Sequence, residues 1–265
     1  PTEFPEEVLQ AAENIDGDLS EDALAGREDW RDAEVITIDP FDARDFDDAI
    51  AVKELKDGGW ELAVHIADVS HYVTPGSELD QEAEQRGNSV YLVDRVLPML
   101  PEALSNGICS LRPDEDRLTF CAIMTFDAKG AQQAARFTPA VIRSQQRLTY
   151  EEAYDRLQER GSTDPITACV QRAWALASLL RTRRFSAGSL DLDFPETKVI
   201  LNDKGKPREI RVVENDKSHQ LIEECMLAAN EAVAETIQQA AKPSLYRIHE
   251  DPDPEKLLEF RESAN

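Results

Sequence analysis

The sequence lacks the features of a membrane-embedded or secreted chain. No run of about 18 uncharged apolar residues, the length that a membrane-spanning helix needs, occurs in its 265 residues. The first ten residues, PTEFPEEVLQ, have neither the basic start nor the apolar run of a secretory signal. We therefore expect a cytoplasmic protein that contacts no membrane.

Cysteine and histidine patterns that bind metals are also absent. The four cysteines form no CxxC pair or zinc-knuckle spacing, and the four histidines form no HxH or HxxxH pair. Cysteines scattered in this way are typical of buried, reduced thiols in a cytoplasmic protein. These patterns argue against a zinc site.

Basic residues are scarce. Lys and Arg number 29 against 53 Asp and Glu, so the formal net charge is −24 at pH 7. Domains that bind nucleic acids usually have a basic surface that matches the phosphates. Two interpretations stay open. The chain is either an acidic protein without a polyanionic partner, or an enzyme whose acidic site is neutralised by metal ions and whose basic surfaces lie in flanking sequence.

Apolar residues make up 41% of the chain, which is a globular composition. Three pairs of apolar runs flank Gly-containing turns and predict hairpins: DAIAVKEL with WELAVHIADV, RLTFCAIMTFD with AARFTPAVIRS, and TKVIL with REIRVVE. Helical periodicity comes in separate blocks, at about 149–160, about 166–183 and from Asp216 or Ser218 onward. This arrangement predicts an α+β domain with a mixed, largely antiparallel sheet and packed helices. We interpret residues 1–30 as a lead-in segment and 31–265 as the domain.

Shorter elements are marked by their terminal residues. PEEVLQAAENI predicts a helix entered through Pro5, and SELDQEAEQRG predicts one with Ser77 as N-cap and Gly87 just past its end. Near the end of the chain, PSLYRIHEDPDPEKLLEF predicts a short strand, a loop and the start of a last helix.

The segment VITIDPFDARDFDDAIAV, residues 35–52, concentrates negative charge. The connection between two predicted strands, which end at Ile38 and begin near Ala49, contains five aspartates: Asp39, Asp42, Asp45, Asp47 and Asp48. Carboxylates this close repel one another, and a divalent cation removes that cost. Oxygen ligands without histidine or cysteine favour Mg²⁺, Mn²⁺ or Ca²⁺.

Three simpler explanations fit less well. A solvated acidic loop does not explain the interleaved apolar residues, which pull the segment towards the core. A calcium loop of the EF-hand type needs a spacing that fails from each aspartate tried as its start. A phosphatase of the DxDxT type needs a threonine and a following helix, and neither is present. The remaining interpretation is a two-metal hydrolytic site, in which paired cations hold a phosphate and activate water.

The segment TIDPFDARDFDDAI resembles the catalytic motif of the RNB exoribonucleases, the family of ribonuclease II and ribonuclease R. The resemblance continues in order, over about residues 30–265, through VHIADVSHYVTPG, RGNSVYLVDRVLPMLP, RLTYEEAY, GSLDLDFPETKVIL, LIEECMLAANEAVA and LYRIHEDPDPEKLLEF. DARDFDDA and RGNSVYL are closer to ribonuclease R than to ribonuclease II. The resemblance implies the N-terminal portion of an RNB-type catalytic domain.

The resemblance also implies an activity: processive 3′→5′ hydrolysis of single-stranded RNA to nucleoside 5′-monophosphates by a monomeric, Mg²⁺-dependent, two-metal enzyme, with Mn²⁺ as the alternative ion. Motif position makes four aspartates catalytic and metal-binding. Asp39 and Asp48 would be direct ligands, Asp47 would lie near the second metal or the terminal 3′-hydroxyl, and Asp45 would be a ligand or organiser. Asp42 matches no essential position. The alternative is a non-catalytic RNA- or metal-binding module on the same scaffold, and a third reading is an acidic structural protein stabilised by calcium.

Three residues match RNA-binding positions of the family. Tyr91 matches the aromatic residue that stacks on the last base, and Tyr150 and Glu223 match positions linked to choosing ribose over deoxyribose. From the residues alone, Tyr91 is equally a core tyrosine of a strand, Tyr150 begins a helix, and Glu223 lies on a helix surface.

The sequence departs from the family pattern at three points. Leu192 stands where ribonuclease II has a second clamping aromatic residue, and Phe194 is two positions away. The sequence ends at Asn265, before an SPIRRY-like segment whose arginine stabilises the attacked phosphate. The flanking OB-type RNA-binding domains, which would supply basic surface, are absent. We therefore expect an incomplete catalytic domain that is weakly active or inactive alone.

Overall fold

The computed structural model describes residues 2–17, 19–190, 196–202, 204–213, 215–246, 248 and 250–263, with the side chain of residue 196 excepted. The chain divides into two compact units, residues 1–232 and residues 233–265. Within these described ranges, no helix has both the length and the apolar character needed to cross a membrane.

The strands of the described chain are β1 Glu28–Trp30, β2 Ile36–Asp39, β3 Asp48–Glu54, β4 Trp60–Ala67, β5 Val90–Tyr91, β6 Val96–Leu97, β7 Asp116–Phe126, β8 Gln132–Arg143, β9 Gln146–Thr149, β10 Glu196–Leu201 and β11 Pro207–Val213. Its helices are α1 Glu6–Glu13, α2 Glu21–Leu24, α3 Val69–Tyr72, α4 Glu78–Arg86, α5 Tyr150–Gln158, α6 Pro165–Ser186, α7 Lys217–Gln239 and α8 Pro254–Ser263. A π-helical turn spans Leu104–Ile108.

A seven-stranded sheet in the order β1-β8-β7-β4-β3-β2-β9 forms the centre of the first unit. Its inner pairs are antiparallel, whereas β1 joins β8 and β9 joins β2 in parallel. The pairs β5–β6 and β10–β11 each form a separate antiparallel hairpin. The predicted α+β class, with its mixed and largely antiparallel sheet, is confirmed, as are the three predicted hairpins.

The turn between β3 and β4 shows why its glycines are needed. Gly58 has a φ of +80°, a conformation that other residues adopt only with strain. A Cβ at Gly59 would lie 2.5 Å from the carbonyl oxygen of Phe126 on the neighbouring strand. The predicted Lys-Asp-Gly-Gly turn is therefore fixed by both backbone conformation and close packing.

Each face of the sheet buries its own apolar cluster. Ile36 and Ile50 point to one face, where they pack with residues of α6 and α7 such as Leu176 and Leu221. Val35, just before β2, and Ala49 on β3 are each one position away and belong to the opposite cluster, which includes residues of α1 and the π-helical turn. Alternate residues of a strand point to opposite faces, so the apolar runs of β2 and β3 serve both cores.

The predicted helix boundaries agree with the structure in most places. Ser77 caps α4 and Gly87 follows it with a φ of +76°. Asp216 precedes α7, and its Oδ1 accepts a hydrogen bond from the Ser218 backbone N–H at 2.9 Å. The strand predicted at PSLYRI is wrong for the residues that the structure describes there, because 243–246 and 248 belong to no strand.

The second unit is small. Its described residues include α8, on which Leu257, Leu258 and Phe260 are exposed. The last predicted helix is thereby confirmed as α8. The division into a lead-in segment, 1–30, and a catalytic domain, 31–265, stays a prediction.

Candidate active site

Five of the predicted site residues, four aspartates and Tyr91, line one cavity of about 690 Å³. The segment 39–48, here called the aspartate loop, forms its floor and contributes Asp39, Asp45, Asp47 and Asp48. The β5–β6 hairpin forms a second wall through Tyr91, Leu92, Val93 and Val96, and the β10–β11 hairpin forms a third through Thr197, Lys198, Val199 and Val213. We call this space the acidic cavity.

Ser110 fixes the middle of the aspartate loop from inside the protein. Its side chain is fully buried, and its Oγ donates to the Arg44 carbonyl oxygen at 2.8 Å and accepts from the Phe46 N–H at 3.1 Å. The backbone of Leu111 adds a bond to the Phe46 carbonyl oxygen at 2.9 Å. The backbone of an irregular loop lacks the regular hydrogen bonds of a strand or helix, so these bonds satisfy its polar groups instead.

Arg147 on β9 fixes the beginning of the loop. Its Nη2 donates to the carbonyl oxygens of Pro40 and Phe41 at 2.5 and 3.1 Å. Its guanidinium also lies over the Phe46 ring, 5.3 Å from the centroid. Since the parallel register places Asp39 beside Thr149, Arg147 reaches the loop from the strand next to β2.

Asp39 ends β2 in a buried position, with 8% of its surface exposed. Burial, followed by the negative charge of Asp48, raises the pKa of Asp39 to about 7, against smaller opposing effects of Thr37 and Arg147. Its Oδ2 is buried and has no hydrogen-bond partner. A buried carboxylate oxygen without a partner is costly, so this atom is suited to a cation ligand.

The other carboxylates add to the same negative field. Loss of hydration, then the charges of Asp45 and Asp48, raise the pKa of Asp47 to about 6, although this side chain stays accessible at the cavity surface. Burial also raises the pKa of Asp48, which begins β3. The loop therefore brings together carboxylates that destabilise one another's charged forms.

The donor set fits a hard divalent cation, and the unpartnered Oδ2 of Asp39 is the observation that supports the fit. Within the described part of the chain, however, no three Asp, Glu, His or Cys side chains already converge closely enough to hold a metal ion. The carboxylates would have to approach one another when an ion binds. The metal-ligand roles of the four aspartates, and Mg²⁺ itself, stay predictions.

Tyr91 stands at the rim of the acidic cavity and is 69% exposed. Burial of its hydroxyl, the charges of Asp45 and Asp47, and a hydrogen bond to Asp45 raise its pKa. Leu92 and Val93 next to it are exposed as well. An exposed aromatic ring with apolar neighbours above carboxylates suits base stacking better than the alternative of a core tyrosine.

Tyr150 is the first residue of α5, directly after Thr149, which closes a capping box with Glu152. Its ring stacks on His219 of α7, with 4.0 Å between centroids and 12° between planes. Burial, then the charges of Asp48 and Asp39, raise the pKa of Tyr150 to about 12. Tyr150 therefore lies beside the aspartates from the core side, although it does not line the acidic cavity.

Glu223 makes its observed contacts away from the acidic cavity. It is on α7, does not line the acidic cavity, and pairs with Arg184 of α6 at 3.2 Å. The buried neighbour Glu224 holds the same arginine. The proposed sugar contact of Glu223 stays a prediction. Leu192 and Phe194, which the predicted base clamp concerns, lie outside the described residues.

Sequence reasoning missed three residues of this site: Ser110, Arg147 and Lys198. The first two hold the loop through backbone carbonyls and N–H groups, contacts that no local pattern encodes. Asp42, which matches no essential position of the family motif, pairs with Lys198 at 2.9 Å across 156 positions of the sequence. No signal in TKVIL marks this lysine.

Comparison with known proteins agrees with the motif. The family model described as RNB domain matches residues 27–265. Ribonuclease R of Thermotoga maritima is 46% identical over an alignment of 265 positions, which covers 98% of this chain and 37% of that protein. The chain thus spans little more than a third of this relative's length.

Solved structures give the same result for the fold. Mycoplasma genitalium RNase R in complex with ribose methylated single-stranded RNA is 33% identical, with a TM-score of 0.93, over 100% of this chain and 42% of that one. The same enzyme in complex with double-stranded RNA gives a TM-score of 0.92 at 33% identity, over 100% of this chain and 47% of that one. Together with the match over residues 27–265, these findings show that the chain belongs to the RNB family.

Proposed function

We propose that this chain forms the acidic centre of a 3′→5′ exoribonuclease that hydrolyses single-stranded RNA to nucleoside 5′-monophosphates. The observation that carries the proposal is the acidic cavity, in which four motif aspartates lie beneath an exposed tyrosine. Relatives named ribonuclease R support this activity for the family. Processive action and a two-metal mechanism are part of the proposal.

Each group of the cavity has a task in this reaction. Asp39, Asp45, Asp47 and Asp48 would hold the cations, which when bound would polarise the phosphate and activate water. Tyr91 would stack on the terminal base and set the depth to which the RNA end enters. Ser110 and Arg147 would keep the carboxylates in place through the loop backbone. Positioning of the reacting groups supplies much of the rate of phosphoryl transfer.

One observation favours a second candidate, an RNA- or metal-binding module without catalysis. Hydrolysis by bound metal ions needs a set of ligands, and no set of three ligand side chains is preformed among the described residues. The motif residues are nevertheless all present and adjacent, so we favour the enzyme.

A shortening assay separates the two candidates. Single-stranded RNA labelled at its 5′ end is incubated with excess protein, with Mg²⁺ and with a chelator, so that slow turnover is also seen. Shortening from the 3′ end that needs Mg²⁺ supports the enzyme, and retention without shortening supports the binding module. Asp47→Asn is expected to abolish shortening and keep RNA binding. The matched control is Asp155→Asn, an exposed carboxylate on α5, which is expected to leave shortening unchanged.

A further inference from the structure

Lys198 is the one cation among the described residues that line the acidic cavity. The same lining holds five aspartates, the four of the predicted site and Asp42. A polyanion that enters this space meets strong like charge at the floor, and Lys198 supplies the opposite charge at the wall. A cation at this place is therefore important for any phosphate-bearing ligand.

The position of Lys198 on β10 suits a contact with a ligand. Thr197, Lys198 and Val199 all line the acidic cavity, so the edge of β10, rather than one face of its hairpin, borders the cavity. The Lys198 side chain is 52% exposed and lines the cavity, so a ligand in the cavity can reach it. The β10–β11 hairpin makes strand pairs only with itself in the described chain, so a contact from Lys198 to the aspartate loop spans a gap between two separate sheets.

Asp42 is the present partner of Lys198. The Nζ–Oδ2 distance is 2.9 Å, and Asp42 is 64% exposed. Exposed pairs of this kind contribute about 0–1 kcal/mol, because water screens them and long side chains lose freedom. A phosphate of RNA offers the same ammonium group a competing anion and releases a condensed counterion when it binds. The pair can thus exchange its carboxylate for a phosphate at low cost.

We propose that Lys198 binds a backbone phosphate of RNA in the acidic cavity. Before RNA binds, the Asp42 carboxylate pairs with the Lys198 ammonium group, and the RNA phosphate then takes the place of this carboxylate. This inference rests on the proposed RNA substrate and adds a residue and an exchange of partners to it. Arg147, a second cation that contacts the aspartate loop, is already bonded to two loop carbonyls and does not line the cavity.

Binding of a 5′-fluorescent single-stranded RNA tests the inference in the Asp47→Asn background, where the RNA stays intact. Lys198→Ala is expected to weaken binding, and its slope of log affinity against log salt is expected to be smaller by about 0.7, the value for one phosphate of a single strand. Lys198→Arg should keep most of the affinity. Asp42→Asn, which frees the ammonium group, should bind RNA more tightly.

Lys204→Ala, an exposed charge at the turn of the same hairpin and outside the cavity lining, is the matched control and should change neither affinity nor slope. Equal binding by Lys198→Ala and Lys204→Ala would overturn the inference, and so would a Lys198→Ala effect with an unchanged salt slope. Absence of RNA binding overturns it too. If RNA binds and depends on Lys198 but the unsubstituted chain never shortens it, only the catalytic part of the proposed function fails.

Discussion

The ring of Tyr150 stacks on the ring of His219, with centroids 4.0 Å apart and planes within 12°. His219 is itself held by Asp216, whose Oδ1 lies 2.9 Å from Nδ1. The first residue of α5 is thus fixed by the first turn of α7, although about 70 positions separate them in sequence. Because Tyr150 faces Asp39 and Asp48, this stack positions a phenol next to the aspartates.

Loss of that stack should be measurable as loss of stability. We expect His219→Ala to lower the free energy of unfolding by about 0.5–1.5 kcal/mol beyond the lost surface burial, as for other aromatic pairs. His219→Phe keeps a flat ring and should recover most of the loss. Urea unfolding of the three proteins measures the difference, and equal stability of the Ala and Phe variants would show that stacking contributes nothing.

Ser110→Ala should loosen the aspartate loop. The substitution leaves the Phe46 N–H and the Arg44 carbonyl oxygen without their present partner, and unmet polar groups of this kind cost about 1–3 kcal/mol when buried. Ser105→Ala is the control, because its Oγ lies 3.5 Å from the Pro101 carbonyl oxygen in a weak contact of the neighbouring turn. Thermal unfolding should separate the two variants. Similar losses would mean that Ser110 does not support the loop.

Asp39→Asn should have opposite effects in the absence and presence of metal. Without divalent ions it removes a buried charge that Asp48 repels, so we expect stability to rise by on the order of 1 kcal/mol. With Mg²⁺ the unsubstituted protein should gain stability, and Asp39→Asn should gain much less. Melting temperatures with Mg²⁺ and with a chelator test both parts. Asp42→Asn should keep the response to Mg²⁺, and an equal response from Asp39→Asn would contradict the proposed ligand role.

His65 should make the fold sensitive to acid. It is fully buried, with Nδ1 3.2 Å from Thr119 Oγ1, and burial lowers its pKa from 6.5 to about 3. The pKa of His65 is lower in the folded protein than in the unfolded chain, so neutral His65 contributes to the free energy of unfolding. This contribution is fully present above pH 6.5 and is lost as the pH falls towards 3, by roughly 1.4 kcal/mol per pH unit. The edge-to-face contact with Trp30 offers a fluorescence readout.

Urea unfolding at several pH values measures this effect as a difference between the unsubstituted protein and His65→Gln, so that the acidic residues common to both cancel. The variant should lose less stability than the unsubstituted protein below pH 6.5. Parallel curves for the two proteins would mean that His65 is protonated equally easily in the folded and unfolded states.

Local patterns predicted the parts of this molecule that local forces determine. Period-two apolar runs gave the hairpins, and helical spacing with caps gave α4 and α7, because each signal lies within a few residues of the element. The aspartate loop was visible as a motif for the same reason. The strand predicted at PSLYRI has apolar residues, but those that the structure describes there pair with no strand, and Leu245 is fully exposed.

The supports of the site could not be predicted, since they join distant segments. Ser110 bonds a residue 64 positions away, and Lys198 bonds one 156 positions away. Nothing about a buried serine or a strand lysine reveals such a partner before the chain is folded. The motif located the carboxylates, and only the tertiary structure placed an exposed tyrosine and a lysine around them.

The central claim is that the aspartate loop gathers its carboxylates around divalent cations, and an anomalous difference map of crystals containing Mn²⁺ tests it most directly. Mn²⁺ can stand in for Mg²⁺ at oxygen ligands and scatters anomalously. We predict at least one ion bound jointly by Asp39 and Asp48, with the Oδ2 of Asp39 among its ligands. Crystals saturated with Mn²⁺ that show no ion in the acidic cavity, with the aspartates turned to solvent, would contradict the account.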